Sequence, residues 1–262
     1  MASSWPGLVK REIAPLDTSM RLKSRVQLPV FLILLFLTGK QANAGVIVVS
    51  GDANLGIGHL NLGNFYHNLF DGDDVFAAPS TGFFVGATAN IMIREAKSFA
   101  RGNVSSAALA GKDWFVGGGN GNYSVSQISD IVDFFNSGGN VFLIGDGGAT
   151  FGAENQVVNN VLAALGSAMR IDSVNAASRS WQSTGASIGA DAFTAGIDKF
   201  GGNFAGSVTG GTSLFKANGT GLTVIAVERA FSATVPEPSS LVMFSVFCAL
   251  AIRRRWGDRE RV

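Results

Sequence analysis

Cysteine is almost absent from this 262-residue chain: Cys248 is the single one, and it lies in an apolar run near the C-terminus. Residues 45–235 therefore hold no disulfide, no cysteine metal site and no thiol nucleophile. Histidine is nearly as scarce. His59 and His67 are the only two, so everything after residue 67 lacks the commonest general base. Basic residues are few in the middle, where residues 45–235 carry 14 Asp and Glu against 9 Lys and Arg, a net of −5. An acidic middle argues against nucleic-acid binding, which needs a clustered basic surface. The overall charge of +1 comes from the two ends, which hold the other 11 basic residues. What is abundant is glycine, 34 residues, about twice the usual share of roughly 7%. Most of it punctuates turns between periodic segments, as in a globular domain and not a collagen or a repeat array.

The N-terminal segment 1–44 reads as an extension followed by a secretory signal peptide, with Met20 as the expected start. Arg21, Lys23 and Arg25 precede an apolar run over 28–37, and Ala42 and Ala44 place small residues where a signal peptidase inspects the chain. The run is about half of the ~20 residues that span a bilayer, which disfavours a permanent anchor. The exported domain, 45–232, opens on a β-branched strand at 46–49. A helix is expected at 61–70, a strand at 75–77 and a helix at 91–100. Residues 113–148 form a strand, helix and strand. Trp114, Phe115 and Val116 end at a triple glycine, Ser124 and Gln127 have capping-box spacing, and Ile128, Ile131, Val132 and Phe135 make an apolar stripe. Val141 to Ile144 is then an unbroken apolar run of the kind a doubly buried strand needs. Two such strands joined by a helix should be parallel neighbours. A helix over 154–165, a strand at 168–172, short strands or loops over 173–211 and a strand at 222–227 complete the domain. Alternating strands and helices predict an α/β three-layer sandwich with a mostly parallel central sheet.

This order of elements resembles the glutamine amidotransferase-like α/β fold, in its non-amidotransferase branches such as the trehalose-utilisation type. The residues that carry the resemblance are Trp114 to Val116, the loop Gly117-Gly118-Gly119-Asn120, the helix from Ser124, and Gly138-Gly139-Asn140-Val141-Phe142-Leu143-Ile144-Gly145. The run Ala192-Phe193-Thr194-Ala195-Gly196-Ile197 resembles a segment that precedes the final strands in that family. Residues 233–262 change character. Val235-Pro236-Glu237-Pro238-Ser239-Ser240, an apolar run over 241–252 and Arg253-Arg254-Arg255 closely resemble the PEP-CTERM sorting signal of bacteria that make exopolysaccharide. The resemblance implies an exosortase that acts at Val235 to Pro238 and a transient inner-membrane anchor at 239–254, stopped by Arg253, Arg254 and Arg255. Twelve helical residues reach only about 18 Å, short of the ~30 Å hydrocarbon core, which suits a temporary anchor. The implied destination is the cell envelope or extracellular matrix, with exopolysaccharide as a candidate partner.

In amidotransferases of the resembling fold a cysteine sits on a sharp turn after a central strand. The matching turn here is Gly145-Asp146-Gly147-Gly148, which offers no nucleophile. The domain is thus expected to be a non-catalytic binding or structural module without cofactor or metal. The alternative is a hydrolase of altered chemistry that uses carboxylates such as Asp52, Asp146 and Glu154. A pair of carboxyl groups roughly 5 to 9.5 Å apart in one cleft would favour that alternative. The candidate ligand crevice comprises Gly118, Gly119, Asn120, Asn122 and Asp146, because crevices form at strand C-termini in open α/β sheets. Other motifs fail on inspection. Ala53 stands where an esterase-type Gly-Asp-Ser-Leu motif has its serine, and Asn122 and Ser124 occupy the third-glycine positions of a dinucleotide fingerprint. His59 and His67 lie eight apart but do not share a good helix, and Asp71, Asp73 and Asp74 read as a solvated turn.

Overall fold

A seven-stranded sheet orders the domain. The computed structural model describes residues 45–55, 62–78, 87–119 and 122–229. Ala42 and Ala44, expected at a signal-peptidase site, Asn120 of the expected crevice, and Val235 to Pro238 and Arg253 to Arg255 of the expected sorting tail lie outside them. The strands are β1 Val46–Ser50, β2 Asp74–Ala77, β3 Ser98–Arg101, β4 Trp114–Gly118, β5 Asn140–Ile144, β6 Arg170–Thr184, β7 Lys199–Thr209, β8 Thr212–Lys216 and β9 Thr223–Arg229. The sheet runs β3-β2-β4-β5-β1-β9-β8, and β6 and β7 form a separate two-stranded hairpin. The first five strands are mutually parallel; at the other side β9 pairs antiparallel with β1, and β8 antiparallel with β9. The helices are α1 Leu62–Phe70, α2 Ala87–Glu95, a single turn α3 Ser106–Leu109, α4 Val125–Asn136 and α5 Gly152–Ala164. Among the described residues no helix is long and apolar enough to cross a membrane.

Strand alternation assigns the side chains to two cores. Ile47, Val49, Phe115, Val141 and Leu143 face Ile131, Phe134 and Phe135 of α4 and Val158, Val161 and Leu162 of α5. Val48, Trp114, Val116 and Phe142 face Phe65, Tyr66, Leu69 and Phe70 of α1. Both faces of the sheet are therefore covered, as a parallel sheet requires. The expected β4-α4-β5 unit is present, with Trp114 to Gly118 paired in parallel with Asn140 to Ile144. Ser124 accepts from the Gln127 N–H at 3.2 Å while the Gln127 amide oxygen accepts the Ser124 N–H at 2.9 Å. Gly138, with a φ of 101°, lets the chain leave α4 in a conformation few other residues adopt.

Two expectations are corrected. The helix placed at 91–100 is instead α2 followed by β3. The mixed periodicity there was the junction of the two, and β3 exists because its backbone finds the free edge of β2. Residues 173–211 are not short strands or loops: 15-residue β6 and 11-residue β7 form a long, bulged hairpin. Its sequence hides it, because small polar residues fill both faces and alternation is weak. The strand over 168–172 is the beginning of β6, and β8 had no counterpart in the sequence reading.

Candidate functional site

β1 and β5 are adjacent and parallel, with Ser50 opposite Ile144, so their C-terminal turns, Gly51-Asp52 and Gly145-Asp146, emerge side by side. The hairpin crosses this edge. The Gly206 N–H donates to Gly51 O at 2.7 Å, and a Cβ on Gly51 would come within 2.2 Å of Gly206 O. Glycine at both positions is what lets the two backbones meet.

Asp52 is sealed beneath the hairpin with no exposed surface. Asn54 N–H donates to its Oδ1 at 2.6 Å and the Trp181 indole N–H to its Oδ2 at 2.6 Å. Burial pushes its carboxyl up to about 7, with the Asp146 charge as a further raising cause, against the opposing bonds from Trp181 and Asn54. β7 can pass over it only as glycine, since a Cβ on Gly202 would lie 2.0 Å from Asp52 Oδ2. Tyr66 of α1 is also fully buried, and its hydroxyl has no hydrogen-bond partner among the described residues. Burial, and secondarily the Asp52 charge, hold its proton on.

Asp146 has a different setting. Its Oδ1 accepts the Gly147 N–H at 2.8 Å, and the Ala53 N–H also donates to the carboxyl. Burial pushes it up to about 6, and the charge of Glu154 on α5 adds to that. Asn155 fixes the turn by accepting the Asp146 N–H at 3.0 Å and donating to Asp146 O at 2.9 Å. Asp146 and Gly147 line a cavity of about 270 Å³ with Asn54, Thr150, Phe151, Asn175 and Phe204. Phe204 stands half-exposed with a φ of 55°, the one non-glycine residue with positive φ among those described. A bulky residue in that region is rare and marks a position where the fold over-determines the backbone.

Of the crevice residues read from the sequence, Asp146 alone lines this cavity among the described residues. The Gly118 N–H donates to the Tyr123 hydroxyl at 3.2 Å. Gly119 backs onto Glu154, where a Cβ would meet the Glu154 carbonyl at 2.4 Å. Asn122 is exposed. Of the carboxylates named for hydrolysis, Asp52 and Asp146 come together and Glu154 sits close enough for its charge to be felt. Missed from the sequence were Asn54, Thr150, Phe151, Asn175, Trp181 and Phe204. One signal was available: Phe204 is the only large side chain in the run Gly201-Gly202-Asn203-Phe204-Ala205-Gly206. His67, on α1, lies 3.4 Å from Glu95 and 3.8 Å from Asp71, on the surface and away from the crevice. A larger cavity, about 440 Å³, opens at the opposite edge of the sheet beside Lys112, Asp113, Asp130 and Asp133. Its polar groups hold local structure, as where Asp113 accepts the Asp74 N–H at 2.8 Å.

The arrangement suits binding better than two-carboxylate hydrolysis. That chemistry needs both carboxyl groups in contact with the substrate or its water. Asp52 has both oxygens engaged and no access, so one carboxylate faces the cavity. No family model matches the chain, and neither the curated proteins nor the solved structures contain a match to it.

Proposed function

We propose that the chain is an exported cell-envelope or extracellular-matrix protein whose α/β domain binds a ligand at the β1–β5 crevice without transforming it. The observation that carries the non-catalytic reading is the sealing of Asp52, together with a strand-end turn at Asp146 that has neither thiol nor imidazole beside it among the described residues. The amidotransferase-like resemblance belongs to this proposal, as do the partners it and the tail imply: signal peptidase, exosortase, a transient inner-membrane stage and exopolysaccharide. The domain's own geometry supports tethering from one side. Val46 and Arg229 are paired residues at the edge of the sheet opposite the crevice. Arg229 is pinned there by two bonds to Asp191, at 2.8 and 2.9 Å, and by stacking over Phe193. The test incubates the exported protein with the host's exopolysaccharide and measures co-sedimentation and new reducing ends. Binding without release of reducing ends is expected; turnover would overturn the reading.

One observation favours a second reading. A carboxyl pushed up to about 6 is partly protonated near neutral pH and could act as a general acid. In that case Asp146→Asn abolishes turnover while leaving the thermal melt intact.

A further inference from the structure

Charge is distributed unevenly over the domain. Neither 45–93 nor 113–169 contains a single Lys or Arg, and these segments supply β1, β2, β4 and β5 with α1, α4 and α5. Several of the remaining cations sit at the far edge. Lys97 pairs with Asp74 at the start of β2, and Arg229 with Asp191 at the end of β9. Arg170 donates to Ser167 O after α5. None lines the crevice. Among the described residues, the charged and titratable groups near Asp146 are acidic or neutral: Glu154 on α5, whose charge acts on it, and Asp52 at the end of β1, with Tyr66 of α1 behind it; Asp172 on β6 packs its carbonyl where a Gly148 Cβ would be, while its carboxyl takes Ser207 and Thr209.

A nearly buried carboxylate held, among the described residues, by backbone N–H groups alone is an incomplete arrangement, because a buried charge without a counter-charge is costly. A ligand cation completes it through a charge-assisted bond. The rest of the lining offers Asn54, Thr150 and Asn175 for hydroxyls, and the faces of Phe151 and Phe204 for C–H groups or a neighbouring ammonium. The volume, about 270 Å³, falls just below the roughly 300 Å³ at which drug-sized pockets begin, so the occupant is one ring and not a chain. An anionic group such as a uronate or phosphate meets only like charge there.

We propose that the crevice binds a small hydroxylated primary amine, an amino-sugar unit, with its ammonium on Asp146 and its ring against Phe204. The inference rests on the non-catalytic binding reading and adds the ligand class. The experiment titrates the full chain, in mild detergent, with glucosamine, glucose, N-acetylglucosamine and glucuronate by calorimetry. Near neutral pH glucosamine should bind about tenfold or more tighter than glucose or N-acetylglucosamine, and glucuronate weakest. The preference should shrink to within about threefold near pH 5, as Asp146 takes up its proton. Asp146→Asn keeps the acceptor for Gly147 and should erase the preference with the circular dichroism spectrum unchanged. Phe204→Gly, which suits the backbone angle, should weaken glucosamine and glucose together. Equal affinity for glucose and glucosamine, a preference that survives Asp146→Asn, or no glucosamine binding would overturn the inference. Equal binding of the neutral and amino sugars would leave the binding reading standing. Release of reducing ends from the polymer would instead strike the binding reading itself.

Discussion

Removing the indole N–H that holds Asp52 should destabilise the domain more at high pH than at low. Asp52 rises from 3.8 to about 7 on folding, burial being the largest cause. Between those values the folded state keeps a proton that the unfolded chain has released. The domain therefore loses stability as pH climbs through that window, and the loss is complete above about pH 7. A rise of about three units corresponds to about 4 kcal/mol. Trp181 limits that penalty, because its N–H lies 2.6 Å from Oδ2 in a site with no exposed surface. In Trp181→Phe the lost bond is worth about 1.5–3 kcal/mol when Asp52 is ionised and about 0.5–1.5 kcal/mol when it is neutral. The smaller ring costs the same at every pH, since it is a packing loss. The excess destabilisation at about pH 8.5 over about pH 5.5 should thus be about 1 kcal/mol, or about 2–4 °C in Tm for a domain of this size. Thermal melts of wild type and variant at the two pH values read this directly. An equal Tm loss at both, or a greater one at the lower pH, would refute the assignment of Asp52 as a sealed carboxylate held by Trp181.

Three other perturbations have definite outcomes. Gly51→Ala drives a Cβ to 2.2 Å from Gly206 O; neither backbone can retreat, so about 1–3 kcal/mol of stability should be lost in a denaturant titration. Phe204→Gly relieves a left-handed backbone with a φ of 55° and should raise stability by about 1 kcal/mol in the same titration, with a loss there showing that the aromatic ring is structural. A circular permutant that joins Arg229 to Val46 through a short glycine linker and opens at Gly111 should fold, because those two ends are already paired neighbours and Gly111 has open space around it. Its far-ultraviolet circular dichroism should match that of the parent.

The sheet was legible in the sequence wherever burial was complete. Val141 to Ile144 and Trp114 to Val116 are unbroken apolar runs because both of their faces meet helices, and Ser124 with Gln127 announced the helix between them. The hairpin was not legible, for a physical reason. β6 and β7 hold together through backbone pairing and close glycine contacts, with only a few large side chains such as Trp181 and Phe200 turned to the core. Neither alternation nor a long apolar run marks such strands. The site followed the same division. Asp146 could be found because it ends a readable strand, whereas Asn175 and Phe204 come from the hairpin. Nothing local to Asp52 told that it would be sealed, since its cover arrives from Trp181 and Gly202, well over a hundred residues later.

The tail and the crevice should act independently, and the strand directions say why. β9 runs antiparallel to β1, so Arg229 lies beside Val46 while Asp52 and Asp146 lie past the other ends of β1 and β5. Five residues of strand at roughly 3.3 Å each put about 17 Å between the two edges. Tension on residue 230 is met first by the double bond of Arg229 to Asp191 and its contact with Phe193. In the sequence beyond it, Pro236 and Pro238 lack N–H groups and restrict their predecessors, a pattern that opposes an unbroken helix between the apolar run over 241–252 and β9. Protein from a host without an exosortase should keep the tail, and mature protein from the native host should lack everything from about Leu241 onward. The two forms should bind glucosamine within about twofold of each other. C-terminal peptide mass analysis checks the first statement, and peptides containing Trp256 in most of the mature population would refute it. Calorimetry on the two forms checks the second, and an affinity difference of about tenfold or more would mean that the tail reaches the crevice edge.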